Sequence, residues 1–175
     1  MRKGAWPHRS ARQRAVIAIA LALNPPLLIM DEPTTALDVV VQKDILAQIA
    51  ILREKLGFSI LFITHDLSLL VEISNNIAIM YAGEIVERAP ARELFEYPMH
   101  PYTLGLMNSF PSISGGKHKL TGIPGSPPDL IAPPAGCRFH PRCNKAMSAC
   151  LTVAPQVKSI CSTHFVACHL FDQYQ

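Results

Sequence analysis

The chain is short of charge and of aromatic rings. Charged residues fill 17% of its 175 positions and aromatics 7%, and the formal net charge is only +3. So small a charge gives no case for nucleic acid or an anionic lipid surface as partner. No basic-aromatic interleaving is present to stack on bases. Hydrophobic residues at 49% exclude a disordered or collagen-like chain. Long apolar runs are missing too. The longest, Ala15 to Leu23, has nine residues before Asn24-Pro25-Pro26 stops it, and a bilayer-spanning helix needs about 20. Arg2-Lys3 is followed by further charge and not by an apolar core with a small-residue cleavage site, which is not the pattern of a secretory leader. The expected location is cytoplasmic, where five cysteines point to metal ligands or buried thiols and not to disulfides. No internal repeat occurs.

What is present changes character along the chain. Eleven of the 15 prolines lie from Pro90 onward. Residues 1–110 read as alternating helix and strand. Arg12 to Leu23 is an Ala/Ile/Leu-rich helix, ended by the proline pair. Leu27-Leu28-Ile29-Met30 fits a strand buried on both faces. Between Val39 and Leu56, Ile45, Leu46, Ile49 and Leu52 recur at helical spacing, and Gly57 ends that helix. Ser59 to Thr64 is a second buried strand, and Leu67 to Ile73 a short helix. Ile77 to Tyr81 and Glu84 to Arg88 flank Ala82-Gly83 as a hairpin. This order implies an α/β fold with a mostly parallel sheet and flanking helices. Ligands of such sheets bind beyond the carboxyl ends of the strands. Residues 111–136, rich in Pro and Gly, read as an irregular connector, and residues 137–175 as a small irregular cysteine-bearing extension.

Asp31 and Glu32 follow the first strand directly. Two acids at a buried strand's mouth are expensive unless something uses them. One reading is a helix-capping aspartate with a neighbouring acid. The other is phosphoryl transfer, in which one carboxylate binds Mg²⁺ and the next orients and deprotonates the attacking water. Thr34-Thr35-Ala36-Leu37-Asp38 comes next, and Ile63-Thr64-His65-Asp66 closes the second strand with a histidine at the same end.

In this order the residues resemble the ATPase subunits of ABC transporters. Leu27 to Glu32 resembles the Walker B strand with its catalytic glutamate, Thr35-Ala36-Leu37-Asp38 the D-loop, and His65 the switch histidine. Arg12-Gln13-Arg14 with Ile17 to Leu21, the hairpin Tyr81 to Glu87, and His100-Pro101-Tyr102-Thr103 resemble the branch that drives dipeptide and oligopeptide uptake. The resemblance implies the C-terminal part of an ABC-type nucleotide-hydrolase domain, with ATP and Mg²⁺ as cofactors. Asp31 would help hold Mg²⁺, Glu32 would be the general base, His65 would contact the γ-phosphate and Asp38 would link two ATPase subunits. It also implies a second ATPase subunit and transmembrane permease subunits as partners, at the cytoplasmic face of the bacterial membrane. No nucleic acid is implied.

Parts of that family's pattern are not in the sequence. No Gly-Lys-Ser/Thr phosphate loop occurs, and Gly115-Gly116-Lys117 lacks its spacing. A glutamine loop is absent, and Trp6-Pro7-His8-Arg9-Ser10-Ala11 stands where the Leu-Ser-Gly-Gly signature is expected. The chain therefore reads as the C-terminal half of such a subunit, as from a truncated or shifted reading frame or a split subunit. Alone it is expected to bind ATP weakly and not to turn it over.

Cys137, Cys143, Cys150 and Cys168 are spaced C-x5-C-x6-C-x17-C, with Cys161 a fifth. Structural zinc usually shows a tight C-x2-4-C pair. The wider spacing favours a 4Fe-4S cluster over zinc, with buried free thiols as the plain alternative. The segment from Gly136 to Cys143, then Cys150 and Val166-Ala167-Cys168-His169, resembles the C-terminal extension of peptide-importer ATPases, some of which carry such a cluster. The matching positions are Cys137, Cys143, Cys150 and Cys168, leaving Cys161 spare. His140, His164 and His169 are substitute ligands. Arg138 and Arg142 are either solvated charges or offsets to thiolates. A different class of function follows from this unit: a non-catalytic iron-sulfur or zinc-binding interaction module left by a truncated ATPase gene.

Overall fold

A computed structural model describes residues 9–34, 38–109 and 122–173. The chain divides into two compact units, residues 1–73 and 74–175.

In the first unit, α1 (Arg9–Leu21) ends two residues before the expected Leu23, whose side chain is exposed. Asn24, at a left-handed φ of 48°, turns the chain into β1 (Leu27–Asp31). The next helix, α2 (Val39–Leu56), has the expected bounds because both ends carry their own signals. The Asp38 carboxylate accepts from the Val41 N–H at 2.9 Å, satisfying a donor that has no partner within the helix. Gly57 takes φ 73° and its N–H donates to the Arg53 carbonyl, closing the other end. Then come β2 (Ser59–Ile63) and α3 (Leu67–Ile73). The strands β1 and β2 pair in parallel, from Leu27 opposite Ser59 to Asp31 opposite Ile63.

Leu28 and Met30 of β1 join Ile17 and Leu21 of α1, Ile45 and Ile49 of α2, and Leu69 of α3 in one core. The expectation that both strands are buried on both faces is corrected here. The burial of β1 alternates, and Leu27, Ile29, Leu61 and Ile63 remain exposed, Ile29 at 61%. A parallel sheet loses both faces to helices only when helices cover both. Among the described residues of this unit only the Leu28–Met30 face is covered.

The second unit starts with the hairpin of β3 (Asn76–Tyr81) and β4 (Glu84–Pro90). Ala82 and Gly83 both have positive φ, 48° and 84°, as a two-residue turn with the twist of the strands requires. The register slips between Ile79 and Met80: Ile79 faces Glu87 and Met80 faces Ile85. Val86 is thus the extra residue of a bulge, and Val86 and Glu87 both turn inward. Two helices not foreseen from the sequence follow, α4 (Ala91–Glu96) and α5 (Pro101–Asn108). The extension adds α6 (Ser148–Thr152), β5 (Val157–Ser159) and β6 (Phe165–Ala167). These strands complete an antiparallel sheet in the order β3-β4-β6-β5. Parallel pairing is therefore confined to β1 and β2 among the described residues.

Tyr81, Tyr102 and Phe139 pack ring against ring, with centroids 4.6 to 5.3 Å apart. Arg138 and Arg142 are neither free solvated charges nor partners of the cysteines. Arg138 pairs with Glu84 and donates to the Ala82 carbonyl, and Arg142 donates to the carbonyls of Pro124 and Ile123. Residues 122–136 of the expected connector have no helix or strand, and Gly115-Gly116-Lys117 lies outside the described residues.

Replacing the cap of α2, Asp38→Ala, is expected to lower stability by about 1 kcal/mol. Asp38→Asn should retain most of it. Urea unfolding of the three proteins checks this.

Candidate functional site

The acid pair sits where the parallel strands end together. Asp31, the last residue of β1, is exposed at the edge of its strand pair. Glu32 continues the ladder by one bond, its N–H donating to the Ile63 carbonyl at 2.9 Å. It does so at φ 46°, a left-handed conformation that costs an L-residue about 1 kcal/mol or more and that clusters at functional sites. This turn aims its carboxylate across to β2. Glu32 Oε1 accepts from the His65 backbone N–H at 3.2 Å and meets the His65 ring Nδ1 at 2.7 Å. The two residues that the sequence analysis set at the ends of different strands are thus one hydrogen-bonded pair.

The imidazole is open to solvent on its other side, its side chain 82% exposed. The hydrogen bond from Glu32 and then its charge raise the His65 pKa above the ordinary histidine value; slight burial opposes this and Asp66 adds to it. The loop around His65 is itself fixed. The Thr64 hydroxyl accepts from the Asp66 N–H, and Asp66 Oδ1 accepts from the N–H groups of Ser68 and Leu69 and from the Ser68 hydroxyl. Sequence reasoning missed Asp66 and Ser68, although an acid just ahead of an apolar helical stretch is a capping signal. Asp38 appears as the cap of α2. Thr35-Ala36-Leu37 beside it, Trp6-Pro7-His8 and the Ser10 side chain lie outside the described residues. Asp31, Glu32 and His65 together offer hard oxygen donors, a base and an imidazole at one sheet end.

The cysteines form a second cluster. The Cys137 N–H donates to the Cys150 carbonyl at 2.9 Å. Gly136 makes this approach possible, because at φ 66° an added Cβ would lie 2.4 Å from that same carbonyl oxygen. Cys150 and Cys168 are buried, and Cys137 and Cys143 partly so. Burial raises the thiols of Cys137 and Cys143 and pushes Cys168 up to about 11, where the other three cysteines add to the effect. For Cys137, Cys143 and Cys168 burial thus favours the protonated thiol. Among the described residues no three His, Cys, Asp or Glu side chains converge to hold a single metal ion. The candidate histidine ligands are occupied elsewhere. His169 faces Asp172 and the Val153 carbonyl, His164 faces Glu87 and Glu93, and His140 Nδ1 faces the Cys137 carbonyl. Cys161 is exposed and bonds to Glu93 and Thr163.

Residues 86–150 match the family model described as the oligopeptide/dipeptide transporter C-terminal region. A dipeptide transport ATP-binding protein of Caldanaerobacter subterraneus is 42% identical over 162 residues, which cover 93% of this chain and 50% of that protein. An oligopeptide transport ATP-binding protein of Bacillus subtilis is 48% identical over 165 residues, 92% of this chain and 46% of the relative. Over most of its length the chain is similar to peptide-transport ATP-binding proteins. A putative peptide import ATP-binding protein of Brucella ovis agrees, at 44% over 176 residues, 95% of this chain and 52% of its own length. The chain spans about half the length of these relatives. The matched C-terminal region runs from β4 into α6 and holds Cys137, Cys143 and Cys150, while Cys168 lies beyond it.

Glu32→Gln should remove the charge that loads the imidazole. The His65 pKa is expected to fall toward the ordinary value, read from its ring proton shifts in an NMR titration. An unchanged titration would mean that the pair does not form in solution.

Proposed function

We propose that the chain supplies one side of a nucleotide site in a peptide-import ATPase. The observation that carries this reading is the 2.7 Å contact of Glu32 with His65 at the shared end of two parallel strands. Asp31 supplies carboxylate oxygen suited to Mg²⁺. Glu32 takes the proton of the attacking water, and His65, held by Glu32, presents its free ring edge to the terminal phosphate. Bound Mg²⁺ would neutralise charge developing on the phosphates. Asp38 stands at the joint with a second ATPase subunit, and permease subunits complete the assembly at the cytoplasmic membrane face. No helix among the described residues is long and apolar enough to cross a membrane, which accords with a peripheral role.

The purified chain should show no Mg²⁺-dependent ATP turnover, since its sequence holds no phosphate loop. Mixing it with the phosphate-loop segment of a relative should restore turnover, and Glu32→Gln should then reduce it by at least about 100-fold. Robust turnover by the chain alone, or restored turnover indifferent to Glu32, contradicts the reading.

For the extension, the sequence spacing of Cys137, Cys143, Cys150 and Cys168 supports a soft-metal or 4Fe-4S role, with zinc the lesser fit, although the described residues hold no preformed site for it. Loading such a group would release thiol protons, since burial raises Cys137, Cys143 and Cys168. Iron and acid-labile sulfide in stoichiometric amount are expected in anaerobically purified protein. Metal-free protein with four titratable thiols at these positions would reject this role.

A further inference from the structure

The extension is joined to the hairpin by a very short seam. Strands β4 and β6 share only two residue pairs, Glu87 with Val166 and Arg88 with Phe165. Beside that seam lies a buried charge cluster that the nucleotide reading does not use. The bulge turns Glu87 inward, with its side chain 0% exposed. Its oxygens accept from the backbone N–H of Met99 at 2.7 Å and of His100 at 2.9 Å. The His164 side chain, 1% exposed, sets Nε2 2.7 Å from Glu87 Oε1 and Nδ1 3.2 Å from Glu93 Oε1.

Carboxylate oxygens only accept, and a neutral imidazole has one N–H and one bare nitrogen. A neutral His164 could serve one of these acids but would set its lone pair against the other. The second buried histidine of this unit shows the contrast. His100 Nδ1 accepts from the Tyr102 N–H at 3.0 Å, so that ring keeps its single proton on Nε2. Burial pushes the His100 pKa down to about 4, in keeping with a neutral ring.

We propose that His164 is held as an imidazolium between Glu87 and Glu93, a proton-loaded clasp that fastens the cysteine-bearing end of the chain to β4 and α4. The ring faces Glu87 from β4 and Glu93 from α4, and Glu87 in turn accepts from the His100 N–H at the start of α5. From its own loop, Cys161 and Thr163 bond to Glu93. Arg88, the nearest cation along β4, lies over the Phe165 ring at 4.5 Å. Two acids thus share one cation. The clasp does not rest on the nucleotide reading.

The test uses the whole chain. In ¹⁵N-histidine-labelled protein at about pH 7, His164 is expected to show two protonated ring nitrogens, unlike His100. In Glu93→Gln the amide can donate to Nδ1, so there the ring is expected to show one bare and one protonated nitrogen. Trypsin cleavage at Lys158 should be severalfold faster in His164→Gln than in the wild type, because the extension is then no longer fastened. A bare ring nitrogen on His164 in the wild type, or equal cleavage of wild type and His164→Gln, overturns the proposal.

Discussion

The register of two strands decides where the chemistry-bearing residues fall. Asp31 pairs with Ile63, and the N–H of Glu32 extends the ladder to the Ile63 carbonyl. Only in that register does the left-handed turn at Glu32 deliver its carboxylate to His65. A slip of one residue would send Leu28 and Met30 out of the core and Leu27 and Ile29 into it. The register is thus set by the burial of Leu28 and Met30 against α1 and α2, residues with no chemistry of their own. Strain at Glu32 is tolerated because the ladder bond and the two contacts to His65 hold it from both sides.

In the second unit a different constraint governs. Glu87 is a buried carboxylate, and such a group persists only when its oxygens are fully engaged. Donors come from Met99, His100 and His164, so the α4–α5 connection and the extension are both specified by one side chain. The aromatic contacts of Tyr81, Tyr102 and Phe139 and the arginine bonds to backbone carbonyls add breadth to that attachment. In the same extension Gly136 lets the backbone of Cys137 close on Cys150, where no side chain could fit.

Legibility from the sequence followed the strength of local signals. α2 was readable to the residue because Asp38 and Gly57 mark its ends and its apolar spacing is regular. The hairpin was readable from Ala82-Gly83, and the gathering of Glu32 with His65 from two acids and a histidine after apolar runs. The open face of β1 and β2 was not, since an apolar run looks the same whether one or both sides are covered. Nor was the bulge at Val86, because an extra residue leaves no mark in an alternating pattern. The inward turn of Glu87, which depends on that bulge, was hidden with it. The strands β5 and β6 have three residues each, too few for periodicity. His100-Pro101, a cap followed by proline at the first helical position, was a usable signal for α5.

The most direct test of the site is whether Glu32 touches His65 in solution. In protein labelled at both residues, nuclear Overhauser contacts are expected between the Glu32 side-chain protons and the His65 ring, together with contacts between Ile29 and Leu61 that confirm the register. A chain showing the Ile29–Leu61 contacts but none from Glu32 to the ring would contradict the account.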